Sequence, residues 1–513
     1  MAKYLAGIDV GTTGARCAIF DLKGNIIASK YREYSATYPK PGWVEQDLDE
    51  MVAMTMEACK ATITASGVDP KEIASIGFST QRSVTVPVNA DGSKVRPMIG
   101  WQDARTGAEV ADMLKVIDAG RYYDISGMPM GTTWNITKML WMRKNEPELY
   151  KKTYKFVQNQ DAVLKAFGAD DFYTDICDMA FYGVWNVAEL QWDKELCDLF
   201  DIRPEMMGKP APAGTQVAVV NKDVAEKTGF AVGTAICVGA GDQNCGVVGM
   251  GSVKSGIVTV TLGTAGLAIL SLDKHIPGFG GMMITNHAVP GMWEMEGLSN
   301  AAASSYRWFR DVIGTQEVNW AKETGKDAYD FLNEEASKAV PGSKGLLYLP
   351  YLGTAATPRW NANARSAFIG MSFAHGRPEM VRSVLEGVTL EIRDMMDGWL
   401  KAGVEINSLR LGGGATKSPL WNQIQADVYG RPVQTLKVGE STVLGAAILG
   451  GVGAGVFASI PEAVDIMVEV TDTVEPNLKN HAVYEEMYEV YTKAYDGLTG
   501  AGAFDKIASV QSV

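Results

Sequence analysis

The sequence predicts an α/β protein built from two related domains that face each other across a ligand. Three observations support this. A glycine–threonine turn occurs twice, about half the chain apart: residues 4–8 lead into Asp9-Val10-Gly11-Thr12-Thr13-Gly14 and then 15–20, while Ile257–Leu262 leads into Gly263-Thr264-Ala265-Gly266 and then 267–270. The 513 residues, 46% hydrophobic, are too many for one core, and at about 150 residues per domain they fill two large domains or three smaller ones. Between Gly246 and Gly256 the apolar pattern is broken by Gly249, Gly251 and Ser252, after which strand, turn and strand begin again. The expected domains are therefore 1–248 and 249–513.

Each repeated unit reads as strand, tight turn, strand. Glycine permits positive φ and presents no Cβ, so the backbone N–H groups and threonine hydroxyls of such a turn can converge on an anion. An ordinary hairpin would explain either turn alone; the repetition favours a nucleotide-binding duplicate. After the first hairpin, 21–25 form a turn and 26–31 a third strand. A helix is expected over Leu48–Ser66, with acidic residues in its first turn and Gly67 at its end. Residues 73–79 and 84–88 read as strands, and 130–145 as a loop leading into a helix. In the second half, 383–401 place Val384, Val388, Ile392, Met395, Met396 and Trp399 on one buried helical face, ended by Gly403. A strand at 408–411, a turn at Gly412-Gly413-Gly414 and a helix opened by Ser418-Pro419 follow. Residues 441–460 carry no charge and are long enough to span a bilayer, but five are glycine and Pro461 closes the run, so a helix packed closely inside a domain is expected.

The net charge of −13 argues against coating nucleic acid or an anionic membrane, since counterion release needs a basic face. Cys17, Cys59, Cys177, Cys197, Cys237 and Cys245 form neither a CxxC pair nor a Cys/His cluster, which points to reduced, buried residues of a cytoplasmic protein. Met1-Ala2-Lys3 passes into the first strand without a signal-type leader.

Asp9 ends the first strand beside the turn, where a carboxylate can hold Mg²⁺ while Thr12, Thr13 and Arg16 face phosphate oxygens; Mg²⁺ needs only one or two carboxylates. Asp242 stands where an apolar strand breaks at Gly239-Ala240-Gly241, the end of a strand at which α/β sheets bind ligands. A carboxylate there can take a proton from an attacking hydroxyl. None of the four histidines lies in these turns, so an aspartate base is favoured. The turn at 412–415 lets an adenosine approach the backbone; with Thr416 before Lys417 it is not a Walker A loop. Ser79-Thr80-Gln81-Arg82 and Trp101-Gln102-Asp103-Ala104-Arg105 supply the aromatic face and polar groups of a carbohydrate site, with core packing of Trp101 as the plainer reading.

Together these residues resemble the FGGY family of carbohydrate kinases over about 4–495. Ser366-Ala-Phe-Ile-Gly370-Met371, seven residues, then Glu379-Met380-Val-Arg-Ser383-Val-Leu-Glu386 meets the C-terminal family signature, whereas 133–145 meets the other one approximately, with Lys138 and Trp141 fitting and the start departing. The resemblance implies two ribonuclease-H-like domains of the actin/hexokinase/Hsp70 ATPase type with an interdomain cleft, ATP and Mg²⁺ as cofactors, and a small sugar or polyol as acceptor. It implies Asp242 as catalytic base and a metal-site residue with Asp9, and Thr12, Thr13 and Arg16 at the transferring phosphate. Gly263 and Thr264 would bind nucleotide phosphates, Gly413, Gly414 and Ala415 would lie near adenosine, and Ala303, Tyr306, Arg307 and Ser418 would be further nucleotide contacts. Arg82, Trp101, Asp103 and Gln243 would face the acceptor with Gln81.

Glycerol kinases carry Arg-Glu where this chain has Arg82-Ser83 and a tyrosine near Thr133; xylulokinases carry Gln-Met-His-Gly where it has Gln81-Arg82-Ser83-Val84. Residues 442–491 and 287–311 are similar to autoinducer-2 kinases, from which Trp101-Gln102 differs. The expected activity is ATP-dependent phosphorylation of a ketopentose such as D-xylulose, with autoinducer-2 or glycerol/erythritol-type acceptors as alternatives and a homodimer or homotetramer in keeping with a metabolic kinase. An actin- or Hsp70-like partner-binding ATPase is the alternative of another class; it has no need of the Gln81-Arg82 and Trp101-to-Arg105 groups.

Overall fold

Three antiparallel strands open the chain: β1 (Tyr4–Val10), β2 (Gly14–Asp21) and β3 (Ile26–Glu33). The computed structural model describes residues 3–511. β4 (Ile73–Thr80) lies parallel to β1; β5 (Gln216–Val219) and β6 (Ala235–Gly241) complete a six-stranded sheet in the order β5-β6-β4-β1-β2-β3, with β6 parallel to β4 and β5 antiparallel at the edge.

The second half builds a seven-stranded sheet from β7 (Ile257–Leu262), β8 (Gly266–Leu272), β9 (Met283–Asn286), β10 (Trp293–Ser299), β11 (Ser408–Gly412), β12 (Val433–Leu436) and β13 (Val470–Val474). Its order is β9-β10-β8-β7-β11-β12-β13, with β11 and β12 parallel to β7 and β13 antiparallel at the edge. Apart from the extra edge strand β9, this repeats the directions of the first sheet. The repeated turn thus marks a repeated fold, as expected.

α1 (Leu48–Ser66) has the expected bounds. The Asp47 carboxylate accepts from the N–H groups of Asp49 and Glu50, and Gly67 takes φ 66°. α2 (Asn135–Asn145) follows the predicted loop, and α3 (Asp242–Gly249) springs directly from the end of β6. In the second half α4 (Ala303–Val312) precedes α5 (Arg377–Lys401), which corrects the reading of 383–401. The helix begins at Arg377, where Glu379 accepts from the Gly376 N–H at 2.9 Å, and 381–392 are buried on every face rather than along one stripe. α6 (Pro419–Tyr429) is capped by Ser418, whose hydroxyl accepts from Trp421 N–H.

The uncharged run forms α7 (Ser441–Gly453), buried throughout 443–451. It leaves its own half of the chain and lies across β1, β4 and β6 and along α3. Glycines make the approach one of backbone on backbone: a Cβ on Gly7, Gly77 or Gly249 would come within 2.1, 1.9 and 1.8 Å of the carbonyl oxygens of Val443, Ala446 and Ser441. Among the described residues, no helix is long and apolar enough to cross a membrane. All six cysteines are buried and unpaired.

Candidate active site

β1, β4 and β6 are parallel and end in register, with Val10 beside Thr80 and Thr80 beside Gly241, so one edge of the sheet gathers the first turn, Gln81-Arg82 and Asp242. In the second sheet Thr261 pairs with Gly412, which brings the turns after β7 and β11 together in the same way.

The first turn closes by Gly11 N–H donating to Gly14 O at 3.0 Å. Gly11 O accepts from the Tyr34 hydroxyl, Thr12 O from Gln46 Nε2 at 2.8 Å and Thr13 O from Tyr34 N–H at 3.3 Å. All four carbonyls are therefore occupied, while among the described residues the N–H groups of Thr12 and Thr13 have no partner. A turn left with donors favours an anion. The Thr12 hydroxyl accepts from Trp101 Nε1 at 3.1 Å, which brings the half-exposed indole to the phosphate turn; the Thr13 hydroxyl meets Tyr31 at 3.0 Å. Arg16 faces Glu440 of the second half at 3.4 Å.

The second turn is built alike. Gly263 N–H donates to Ala265 O, Gly263 O accepts from Ala303 N–H at 2.8 Å, and Thr264 O accepts from Ala302 N–H and the Ser304 hydroxyl. Ala303, at the start of α4, thus secures the turn. Beside it Gly413, at φ 81°, backs onto Leu262: a Cβ there would lie 2.7 Å from the Leu262 oxygen. A Cβ on Gly414 would meet nothing within 4 Å, and Ala415 follows in a single 3₁₀ turn.

Asp9 Oδ1 accepts from the Ser79 hydroxyl at 2.8 Å; burial, reinforced by the charge of Asp242, pushes its carboxyl up to about 7. Burial also raises the Asp242 carboxyl, against the pull of Arg82. Asp9 and Asp242 are half-buried, and the charge of Asp242 disfavours ionisation of Asp9, so the pair suits a cation between them, and a pair with few other ligands suits Mg²⁺. Asp242 begins α3; its Oδ1 accepts from Gln243 N–H at 2.8 Å and faces Arg82 Nε at 3.2 Å. Its side chain is 31% exposed. The Gln243 side-chain amide also lies against this carboxylate.

Arg82 extends from Asp242 to Glu296 on β10, with Nη1 2.9 Å from Oε2 and Nη2 3.0 Å from Oε1, and its guanidinium lies 4.8 Å over the Phe181 ring. The following residue, Ser83, is left-handed at φ 59°. The fully buried Lys138 holds Ser83 O at 2.6 Å, and burial pushes that ammonium down to about 7. Gln81 is buried, its Nε2 donating to Gln46 Oε1 at 2.9 Å.

Three expectations are corrected. Asp103 does not face an acceptor: its side chain is wholly buried, with Oδ2 held by Val44 N–H at 2.6 Å and both oxygens by the Arg105 guanidinium, which stacks 3.7 Å over Trp43. Tyr306 is core, packed edge-on to Trp421 with its hydroxyl on Asn333. The Ser418 hydroxyl is committed to capping α6. Arg307 stays exposed on α4. Conversely, sequence reasoning missed Glu296, Glu440, Gln46, Tyr34 and Asp178. Asp178 is fully buried with both carboxyl oxygens unpartnered, and a Cβ on Gly241 would meet its Oδ1 at 2.3 Å and Arg82 Cδ at 2.5 Å.

Comparison with known proteins identifies relatives of the whole chain. The chain is 29% identical over 497 residues to a xylulose kinase of Staphylococcus epidermidis, covering 96% of both, and 27% identical over 500 residues to a gluconokinase of Bacillus licheniformis, covering 96% of this chain and 94% of the other. The crystal structure of a ligand-bound xylulose kinase from Lactobacillus acidophilus superposes with a TM-score of 0.89 at 25% identity, over 98% of this chain and 100% of that one. These relatives are kinases, which sets aside the partner-driven ATPase. The models for the N-terminal and C-terminal domains of the FGGY carbohydrate kinases match residues 4–249 and 258–454, and the chain belongs to that family.

Proposed function

We propose that this carbohydrate kinase, which uses ATP to phosphorylate an alcohol group of a small sugar or polyol, acts on a ketopentose such as D-xylulose with Asp242 as general base. The observation that carries the base assignment is the anchored but partly exposed Asp242 carboxylate at the end of β6. Oδ1 is fixed by Gln243 N–H and Arg82, so the carboxylate is oriented while the side chain, 31% exposed, stays open to a hydroxyl. The xylulose kinases among the relatives support the ketopentose.

Residues 1–248 would form the acceptor and phosphate domain and 249–513 the nucleotide domain, with α7 crossing between them. Thr12, Thr13, Arg16, Gly263 and Thr264 would hold the phosphates, and Gly413, Gly414 and Ala415 would lie near adenosine, with Ala303 and Arg307 beside them. Asp9 and Asp242 would hold Mg²⁺, which when bound neutralises phosphate charge. Gln81, Arg82, Trp101 and Gln243 would position the acceptor. Arg82–Glu296 and Arg16–Glu440 join the halves across the cleft. Closure there would exclude water, which Asp242 could otherwise activate in place of a sugar hydroxyl. The six reduced cysteines favour a cytoplasmic enzyme.

ADP release from Mg·ATP, measured with D-xylulose, L-ribulose, other ketopentoses, glycerol, erythritol and the autoinducer-2 precursor, tests the acceptor class. The highest kcat/KM is expected with a ketopentose; a maximum with glycerol or erythritol would reject that assignment.

A further inference from the structure

We propose that Glu296 sets the charge preference of the acceptor site: by engaging both terminal nitrogens of Arg82, it makes the site accept neutral polyhydroxy compounds and reject aldonates. The inference rests on the acceptor role given to Arg82 and Asp242 above.

Arg82 would otherwise be the natural anchor for an acceptor carboxylate, because a guanidinium fork matches that group with two parallel hydrogen bonds. Glu296 already occupies the fork, accepting from Nη2 at 3.0 Å and forming an ion pair with Nη1 at 2.9 Å that lacks hydrogen-bond geometry, and Asp242 pairs with Nε at 3.2 Å. The trio thus holds one positive and two negative charges. Asp178, both of whose oxygens are buried and unpartnered, lies against the same Gly241 as Arg82. An incoming carboxylate would have to displace Glu296, whose side chain is only 5% exposed, and leave it buried without a counter-charge while itself facing Asp242. A hydroxyl avoids both penalties, since it can accept from an arginine N–H and donate to a carboxylate oxygen without breaking the pair. Because Glu296 lies on β10 and Arg82 follows β4, the selective site is complete only when both halves contribute.

Steady-state ADP release with D-xylulose, L-ribulose, glycerol, erythritol and D-gluconate, on wild type, Glu296→Gln and Asp178→Asn, tests this, with the KM for ATP as the control for intact folding. Wild type should favour its best neutral acceptor over D-gluconate by about 100-fold or more in kcat/KM. In Glu296→Gln the KM for D-gluconate should fall and that for the neutral acceptor rise, narrowing the ratio about tenfold with the KM for ATP unchanged; Asp178→Asn should narrow it less. Wild type using D-gluconate within about threefold of the best neutral acceptor would overturn the charge rule while leaving the kinase assignment standing. An unchanged ratio in Glu296→Gln with normal ATP binding would overturn the role of Glu296. Turnover with no acceptor of either charge would reject the acceptor reading itself and this inference with it.

Discussion

Two glycines one turn apart on α3 should respond oppositely to the same added methyl group. Gly249 lies against α7, and a Cβ there would sit 1.8 Å from the Ser441 oxygen, 2.7 Å from its carbon and 2.9 Å from Gly445 N. All three are backbone atoms, so no side-chain rotation relieves the clash. To restore a 3.0 Å separation, α7 must move about 1.2 Å away from α3, although Gly7 and Gly77 hold it in close backbone contact with the sheet. Such overpacking costs about 3 kcal/mol, the top of the usual range. Gly246 also faces α7, yet its Cβ would come no nearer than 3.9 Å to the Thr442 hydroxyl, and Ala is up to about 1 kcal/mol better than Gly in a helix. Neither glycine has positive φ, so the clash alone separates them. Thermal unfolding should therefore show Gly249→Ala about 6–12 °C below wild type and Gly246→Ala at or slightly above it. Equal midpoints for the two variants would refute the packing of α7 on α3.

Removing the Tyr34 hydroxyl takes away the donor on Gly11 O, leaving a carbonyl of the phosphate turn unpaired at a cost of about 1–3 kcal/mol. Tyr34→Phe should raise the KM for ATP more than that for the acceptor, and an equal effect on both would count against the turn as the phosphate site. Trp101→Phe, which loses the hydrogen bond to Thr12, should raise KM several-fold while keeping kcat within about threefold; a collapse of kcat would contradict a positioning role. Burial pushes the Glu391 carboxyl up to about 8, so the folded chain keeps a proton that the unfolded chain releases above its usual value of 4.5. Stability is thus lost as pH rises through this window, and the unfolding midpoint of Glu391→Gln should gain on wild type between pH 5 and pH 9. A difference independent of pH would contradict it.

What was legible in the sequence was what local chemistry decides. α1 could be bounded because a cap, first-turn acids and a terminal glycine act within one turn of each end, and Ser418-Pro419 opens α6 for the same reason. The two turns were visible because a short glycine–threonine segment between apolar runs has few other uses. What escaped depends on distant partners. Glu296 meets Arg82 across 214 residues, and nothing near Glu296 in the chain marks it as an arginine ligand. The small residues of α7 announced a close approach without saying to what; the answer, the first sheet, lies hundreds of residues away in the chain. Asp103 was misassigned because a carboxylate beside a tryptophan resembles a sugar contact, whereas Arg105 two residues on turns it inward. The full burial of α5 was hidden by charged residues such as Arg382 and Glu386, which pair with each other at 2.7 Å inside the core.

The central claim, that Asp242 takes the proton of the acceptor hydroxyl, is tested most directly by comparing acceptor-dependent ADP release in wild type and Asp242→Asn with ATP binding measured alongside. The account predicts nucleotide and acceptor binding retained and turnover lower by about 10²–10⁴. Turnover within about tenfold of wild type would contradict it, because a general base cannot be replaced by an amide at so small a cost.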